Sequence, residues 1–391
     1  MEPRERVLAA LEGESVDRVP VDLGSSRVTS ISRDAYVRMI EFLGLPIREE
    51  DVAVVDHMLQ LPDLDERFLR AVGVDVRGVK INTVRKAPEF IEQERHWEYL
   101  DEYGARWRKP KRGGLYFDLV ESPLAGSIDA SDIDDFVWPD WTDPKVFRGV
   151  KEAARAFSDA GFAVVLEGEG GGIFETASRV RGYTDLYMDL AMRPALARKL
   201  FDKVADLRCG LWNAAAEELG EYVHIVREGD DIAGQDKPLF APSTYRELLK
   251  PSHERVFRTI KETFPKPVHV FFHSDGAIRE LIPDFVEIGI DILNPVQPGL
   301  PGMDLLDIAR EYGDRIAFWG GGVDPQATLP VAAPEEIRTE ISERVERLLG
   351  VTSRYVFSSI HNVLGDVPPG NVIAQLEGLH EAQNLRFEVR Q

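Results

Sequence analysis

Short apolar runs alternate along this chain with longer segments in which apolar residues recur every three or four positions. Several short runs are almost continuously apolar, which is typical of parallel strands covered on both faces. The longer segments predict amphipathic helices. The predicted strands are Arg18–Leu23, Val74–Val79, Ala163–Glu167, Val223–Arg227, Val268–Phe272, Asp291–Leu293, Ile316–Trp319 and Tyr355–Ser358. The predicted helices include Pro144–Ala160, Pro194–Glu218, Ala277–Ile288, Met303–Tyr312 and Glu335–Leu349.

Strand–helix alternation of this kind indicates right-handed parallel crossovers and therefore an α/β fold. Eight strand runs predict a closed (β/α)8 TIM barrel that forms one domain over residues 1–391. The two N-terminal strand patterns are weak, so an open doubly wound sheet is the alternative.

Residues 87–139 interrupt this rhythm between the second and third predicted strands. The stretch is rich in aromatic residues, charges and glycine, and we expect a small hairpin with a loop. Long insertions at the strand ends of barrels often serve as lids. The alternative is an extension that packs on the outside of the barrel or on a partner subunit.

Composition narrows the functional classes. The chain has 391 residues and a formal net charge of −21, which disfavours nucleic acid and anionic membrane surfaces as partners. No apolar stretch is long enough to cross a bilayer, and Met1–Leu11 lacks the apolar core of a signal peptide. Cys209 is the single cysteine, so it forms no internal disulfide and no cysteine-rich metal site. We expect a cytoplasmic protein.

Polar residues follow nearly every predicted strand. Catalytic groups in a TIM barrel come from strand ends and the loops after them, so these residues predict a shared polar pocket. The candidate catalytic residues are Asp75, Glu167, Asp230 and Asp231, and the candidate substrate-binding residues are Asn294, Gln297 and Trp319.

The segment His273-Ser274-Asp275 is the sharpest chemical signal. His273 lies where a strand ends, and the two-residue period directs His273 and Asp275 toward one point. An imidazole and a carboxylate suit Zn²⁺ if a third ligand arrives from elsewhere, and His361 is the candidate. The alternative is that Asp275 caps the helix predicted from Ala277, while His273 only donates hydrogen bonds within the pocket.

Two other segments also follow predicted strands, and Arg227 and Glu228 just upstream favour a functional role for the first of them. Asp230-Asp231 after the fourth strand can bind a metal, orient a substrate or share a proton, or can simply cap a helix in a solvated loop. The glycine-rich turn that begins at Glu167 lacks the pattern of a phosphate-binding loop and predicts a flexible pocket wall. A Gly-x-Ser-x-Gly motif is absent from the sequence, so a serine hydrolase has little support.

Taken in order, several segments resemble the uroporphyrinogen decarboxylase superfamily over nearly the whole chain. The last of them, His361-Asn362-Val363 followed by Pro368-Pro369-Gly370-Asn371-Val372, is similar to the terminal signature of that superfamily. The segments that carry the resemblance are Arg4–Leu11, Asp17–Val21, Ala241–Glu247, Lys250–Pro251, Gly322–Pro325 and Tyr355–Val372. The resemblance implies a (β/α)8 barrel that is often dimeric.

True uroporphyrinogen decarboxylases, as the resemblance implies, use no metal and hold a tetrapyrrole with an arginine-rich segment and an aspartate. Only Arg27 can stand in for those arginines here, and Asp75 lies near the aspartate motif without its serine. A substrate with eight carboxylates needs concentrated positive charge. A metal-free decarboxylase, in which Asp75, Arg27 and His361 bind a carboxylated substrate, is therefore the alternative rather than the leading hypothesis.

The other branch contains methyltransferases that work with corrinoid proteins and bind Zn²⁺ through His-x-Cys and a later Cys. The matching positions here are His273, Asp275 and His361, which remain competent zinc ligands. The resemblance thus implies a methyltransferase that uses Zn²⁺, a small O-methylated donor and a separate corrinoid protein, with a homodimer expected. A non-catalytic binding barrel is a further alternative.

Overall fold

The computed structural model describes residues 1–84, 90–112 and 116–389. The strands are β1 (Val54–Asp56), β2 (Leu61–Pro62), β3 (Val76–Lys80), β4 (Ile91–Glu92), β5 (His96–Leu100), β6 (Arg106–Pro110), β7 (Asp118–Glu121), β8 (Ala163–Glu167), β9 (Ile225–Gly229), β10 (His269–His273), β11 (Ile292–Asn294), β12 (Ala317–Gly321) and β13 (Tyr355–Ser358). The second to eighth predicted strands form in the predicted order, as β3 and β8 to β13, with bounds that agree or differ by up to two residues.

The α-helices include one long element and several short ones. They are α1 (Pro3–Glu12), α2 (Arg33–Phe42), α3 (Glu66–Ala71), α4 (Ala130–Asp135), α5 (Val150–Asp159), α6 (Ile173–Arg181), α7 (Tyr183–Met192), α8 (Pro194–Leu219), α9 (Pro242–Thr244), α10 (Lys250–Thr263), α11 (Ile282–Glu287), α12 (Leu305–Tyr312), α13 (Pro334–Leu349) and α14 (Pro369–Glu381). A π-helical turn, Tyr245–Leu249, joins α9 to α10, and 3₁₀ turns occupy Glu49–Asp51 and Pro144–Phe147.

A parallel sheet forms the barrel wall. In the described part of the chain, its seven strands lie side by side in the order β3, β8, β9, β10, β11, β12 and β13. Neighbours in space are therefore neighbours in sequence, as right-handed β/α crossovers require. This arrangement confirms the barrel rather than the open doubly wound sheet, in which the strand order reverses.

The predicted first strand, Arg18–Leu23, is reduced to a short bridge that closes the barrel. Val21 pairs with Phe357 of β13, and the Val21 carbonyl accepts a hydrogen bond of 2.9 Å from the N–H of Asp75, just before β3. Pro20 has no N–H to donate, and a turn with Gly24 at φ 99° follows. The segment consequently links the two end strands without forming a ladder of its own.

Side chains alternate across the barrel wall. Val165, Ile225, Phe271 and Ile292 fill the interior, whereas their sequence neighbours pack outward against the helices. The helices pack the same way: buried Ile337, Ile341, Val345 and Leu348 line one face of α13. No helix in the described residues is long and apolar enough to cross a membrane.

The predicted insertion between the second and third barrel strands contains a four-stranded antiparallel sheet, in the order β4, β5, β6 and β7, followed by α4. Residues 87–89 and 113–115 of the predicted span lie outside the described residues. The sheet is larger than the expected hairpin. A buried aromatic cluster supports it, in which the rings of Tyr99 and Phe117 meet edge to face at 5.0 Å.

Candidate metal centre and active site

The carboxyl ends of the barrel strands carry a layer of polar side chains. Each residue of this layer lies two positions beyond an apolar residue of the barrel interior, so the period of a strand directs it inward as well. The strand ladders continue through these polar residues, which is why the strands end later than the apolar pattern predicts. The layer includes Glu167 of β8, Arg227 of β9, His273 of β10 and Asn294 of β11.

The buried imidazole of His273 is oriented by Asn294. The Nδ2 amide of Asn294 donates to the Trp319 carbonyl at 2.8 Å, so its Oδ1 atom faces His273 Nδ1 at 2.7 Å and accepts a hydrogen bond there. The Nδ1 atom of His273 therefore carries the proton, and the Nε2 lone pair is free. Burial lowers the pKa of His273 to about 4, so the ring is neutral at pH 7.

His273, Asp275 and His361 meet at the mouth of the barrel. The Oδ2 atom of Asp275 lies 3.8 Å from His273 Nε2 and 3.7 Å from His361 Nε2. One ligand atom from each residue lies within 4.8 Å of the other two. His361 and Asp275 are partly exposed, so the cluster borders solvent on one side. Two histidines from distant parts of the chain thus converge as predicted.

Backbone hydrogen bonds hold the loop that carries Asp275. Its N–H donates to Asp231 Oδ1 at 2.9 Å, and the N–H of Gly276 donates to Gln297 Oε1 at 3.1 Å. Gly276 has φ 93°, a conformation that favours glycine. The helix predicted from Ala277 begins only at Ile282, so Asp275 does not cap it, contrary to the alternative interpretation.

The adjacent carboxylates Asp230 and Asp231 face different environments. Asp230 is fully buried and accepts hydrogen bonds from the N–H groups of Phe174 and Glu175 at 2.7 and 2.9 Å. Its Oδ2 atom also lies 3.0 Å from His253 Nε2. Asp230 therefore anchors the first turn of α6, which corrects its predicted catalytic role. Asp231, with a side chain 43% exposed, lies 3.8 Å from His273 Nε2.

Glu175 is a titratable residue that the sequence patterns did not single out. Burial, reinforced by the nearby carboxylates of Asp231 and Asp230, raises the pKa of Glu175 to about 8. Its carboxyl group is consequently protonated at neutral pH. In sequence it resembles an ordinary helix-capping glutamate after a glycine-rich turn, and it does accept a hydrogen bond from the N–H of Gly172 at 3.0 Å.

Glu167 lies between two arginines. Its Oε2 atom accepts a hydrogen bond of 3.1 Å from the backbone N–H of Arg27, and its Oε1 atom lies 3.5 Å from Arg227 Nη1. The guanidinium of Arg27 pairs with Asp56 at 2.9 Å. It also passes close to Gly170, where an added Cβ would lie 1.4 Å from Arg27 Nη1. The glycine-rich turn thus serves the close approach of an arginine.

A cleft of about 180 Å³ separates the insertion from the barrel. Arg27 and Lys80 line it from the barrel side, and Tyr99 and Asp101 line it from the insertion. Arg179 of α6 spans the boundary, with Nε 3.5 Å from Asp101. The insertion therefore lies over part of the carboxyl end of the barrel, and its role as a lid stays a prediction.

The structure does not support the predicted roles of three site residues, Asp75, Trp319 and Asn294, in contacting substrate. Asp75 lies at the amino end of β3, and a five-residue strand spans roughly 16 Å, so Asp75 cannot contact the cluster. Trp319 is buried in the barrel interior and donates from Nε1 to Asp22 Oδ2 at 3.0 Å, so it does not line a substrate pocket. Asn294 has both amide atoms engaged by His273 and the Trp319 carbonyl, so it positions a ligand instead of contacting substrate.

Comparisons with known proteins agree with this architecture. Residues 121–382 match the uroporphyrinogen decarboxylase family. The chain is 28% identical over 285 residues to the uroporphyrinogen decarboxylase of Serratia proteamaculans (strain 568), covering 70% of this chain and 75% of the relative. The corresponding protein of Aliivibrio salmonicida (strain LFI1238) is 26% identical, covering 68% and 74%. A solved methyltransferase from Methanosarcina mazei superposes with a TM-score of 0.64 at 16% identity, covering 97% of this chain and 99% of that one.

Proposed function

Because this chain belongs to the uroporphyrinogen decarboxylase family, we propose that it uses the barrel of that family as a metal-dependent methyltransferase. It takes a methyl group from a small O-methylated substrate. The acceptor is the cobalt of a corrinoid carried by a separate protein. The solved protein from Methanosarcina mazei is a methyltransferase, which is consistent with this class of reaction, although its likeness to this chain concerns the fold alone.

The observation that carries the proposal is the orientation of His273. Its Nδ1 proton is committed to Asn294, and its free Nε2 atom faces Asp275 and the neighbouring His361. Histidine ligands in metal sites characteristically donate their other ring N–H in this way. His273, Asp275 and His361 would hold Zn²⁺, which accepts imidazole and carboxylate ligands and leaves a position open in catalytic sites. When bound, Zn²⁺ supplies Lewis acidity that stabilises negative charge developing on an oxygen atom.

The residues around the cluster supply the proton chemistry. In the proposed step, the methyl–oxygen bond of the donor breaks and its electron pair stays on the oxygen. Cobalt(I) of the corrinoid provides the electron pair of the new carbon–cobalt bond and becomes formally cobalt(III). The oxygen takes up a proton, and Glu175, which is protonated at neutral pH, is the donor we propose, with Asp231 next to it.

An elemental scan of the purified protein tests the metal centre. We expect one zinc ion per chain in the wild type and less than about a tenth of that in His273→Ala and His361→Ala, because a three-ligand site that loses one imidazole no longer holds the ion. His269→Ala is the matched control. It removes an imidazole from the amino end of the same strand, where His269 faces Glu12 at 3.3 Å.

Activity is then measured with cob(I)alamin as the methyl acceptor and methoxy compounds as donors. We expect methylcobalamin to form with the wild type and with His269→Ala only. A protein without stoichiometric metal, or a His273→Ala variant that keeps its metal and its activity, would refute the proposal.

The names of the curated relatives favour a second candidate, a metal-free decarboxylase. Arg27 faces the cleft, as this candidate requires, but Asp75 lies at the other end of the barrel. An assay for CO₂ release from uroporphyrinogen, in the presence of a chelator, separates the two candidates. We expect no release above background.

A further inference from the structure

Five arginines of the described residues are buried, and the guanidinium groups of four of them each donate at least three hydrogen bonds. Arg6 and Arg77 each donate four, to carboxylates and carbonyl oxygens. Arg181 and Arg208 each donate to a buried carboxylate and to a carbonyl oxygen. Hydrogen bonds of this kind are the rule for a buried guanidinium, because an unpaired buried charge is costly. The fifth buried arginine, Arg227, is the exception.

The guanidinium group of Arg227 donates no hydrogen bond to any residue that the structure describes. Its Nε atom is buried without a partner, and its nearest carboxylate oxygen, Glu167 Oε1, lies 3.5 Å from Nη1 and also lacks a hydrogen bond. The side chain is only 6% exposed, so water satisfies little of the deficit. An arginine offers five N–H donors in a planar fork. Most of that capacity is therefore unused in the absence of a ligand.

The guanidinium lies beside the proposed metal ligands. Arg227 follows Ile225 of the barrel interior by two residues, so its side chain also enters the barrel. A Cβ added to Gly229 would lie 2.9 Å from Arg227 Nη2 and 2.9 Å from His273 Cβ. Because Gly229 has no side chain, the guanidinium of Arg227 can lie in the space beside His273 that a Cβ atom would otherwise fill. A molecule held at the cluster would come within reach of this fork.

We infer that Arg227 binds a carboxylate of the substrate, so that the methyl donors of this enzyme are small methoxy-substituted carboxylic acids. The methoxy group in this inference rests on the proposed function, whereas the carboxylate rests on Arg227 alone. Two parallel N–H groups of a guanidinium match the two oxygens of a carboxylate. The fork therefore orients the donor with its methoxy oxygen toward His273, Asp275 and His361.

The surroundings favour a carboxylate over a phosphate. Glu167 lies 3.5 Å from the fork, and Asp231 and Asp275 each lie 3.8 Å from the neighbouring His273, so a dianion held here would meet strong repulsion. The nearby N-terminus of α6, which would otherwise suit a phosphate, already has two of its N–H groups bonded to Asp230. A single guanidinium is thus matched to a monoanion.

Calorimetric titration with matched acids and amides tests the inference. The probes are methoxyacetate with methoxyacetamide, and 3-methoxybenzoate with 3-methoxybenzamide. We expect at least one acid to bind the wild type about 10- to 100-fold more tightly than its amide, the range of a charge-assisted hydrogen-bond pair. In Arg227→Gln combined with Glu167→Gln, which leaves no unpaired charge, acid and amide should bind equally.

Two further variants protect the result against misfolding. Arg227→Lys keeps the charge without the fork and should retain part of the preference, while Arg310→Gln, with a side chain 58% exposed, should retain all of it. Thermal unfolding and zinc content are measured on every sample. An acid preference that survives in the double variant, equal binding of acid and amide by the wild type, or no binding of any probe would overturn the inference.

A comparison of methoxyacetate with butyrate, its methoxy-free analogue of similar length, separates this inference from the proposed function. Equal, Arg227-dependent binding of the two acids would support the carboxylate site and count against a methoxy-specific donor. Methyl transfer from neutral donors without any role for Arg227 would support the proposed function and overturn the carboxylate site.

Discussion

At the amino end of the barrel, Asp75 accepts four hydrogen bonds, from Arg6, twice from Arg18, and from the N–H of Val21, at 2.6 to 2.9 Å. At the carboxyl end, Glu167 and Arg227 face each other at 3.5 Å with hydrogen-bonding atoms to spare. Both groups of charges are buried, so removing each from water costs a comparable free energy. Only at the amino end do hydrogen bonds within the protein offset that cost. The first stabilises the fold, whereas the second is kept ready for a ligand.

The largest expected effect of this difference is on stability. Asp75→Ala leaves two arginines without their shared carboxylate, so we expect the free energy of unfolding to fall by about 3–5 kcal/mol. Asp275→Ala, at the other end, removes a partly exposed carboxylate whose imidazole neighbours are 3.7–3.8 Å away, and should cost less than about 1 kcal/mol. Urea denaturation of both variants measures the contrast. Similar losses would show that the two ends do not differ in this way.

The next effect is on methyl transfer. His361→Ala should lower the rate with cob(I)alamin about 10³-fold, because loss of the ion removes several kcal/mol of charge stabilisation. Its thermal stability should change little, since the side chain is partly exposed. A variant that unfolds at much lower temperature would place His361 among the structural residues instead.

A smaller effect is expected at Asn294, which orients His273 without contacting the proposed ion. Asn294→Ala should weaken zinc affinity about 10- to 100-fold, as loss of a hydrogen-bonding partner behind a histidine ligand does. Asn371→Ala, which removes another buried asparagine whose amide donates to the Leu329 and Ala332 carbonyls, is the matched control. Competition with a chelator of known affinity gives both constants. Equal weakening in the two variants would point to a general loss of stability.

The smallest effect is a pH dependence of stability at Glu175. Its pKa is raised to about 8 in the fold from an ordinary value near 4.5, by burial and by Asp231 and Asp230, with Arg179 opposing and the Tyr183 ring nearby. The folded state therefore binds more protons than the unfolded state between these values, and stability declines as pH rises from about 4.5 to 8.

Glu175→Gln should accordingly gain in melting temperature relative to the wild type between pH 5 and pH 8, by roughly 2 °C. Differential scanning calorimetry at several pH values measures the difference. A gap between variant and wild type that stays constant across this range would mean that Glu175 is ionised in the fold.

The sequence by itself determined the barrel and its strand order, because continuous apolar runs and amphipathic helices depend only on local periodicity. It also predicted that His273, Asp275 and His361 lie close together, as the structure shows, since these residues end or follow strands whose carboxyl ends must meet at one end of a barrel. The sequence did not predict the four-stranded sheet of the insertion or the short bridge at Val21. Pairing with other segments of the chain defines these elements more than local sequence pattern does.

Only the tertiary structure decided which polar residues are free to act. Asp230 and Asp231 are adjacent in sequence. Asp230 accepts hydrogen bonds from the first turn of α6, whereas Asp231 lies beside His273 of the metal cluster. Arg227 and Arg208 are both buried arginines, and their difference lies in whether a carboxylate comes within hydrogen-bonding distance. Hydrogen-bond saturation depends on distances of a few ångströms between parts of the chain far apart in sequence, and no local pattern records them.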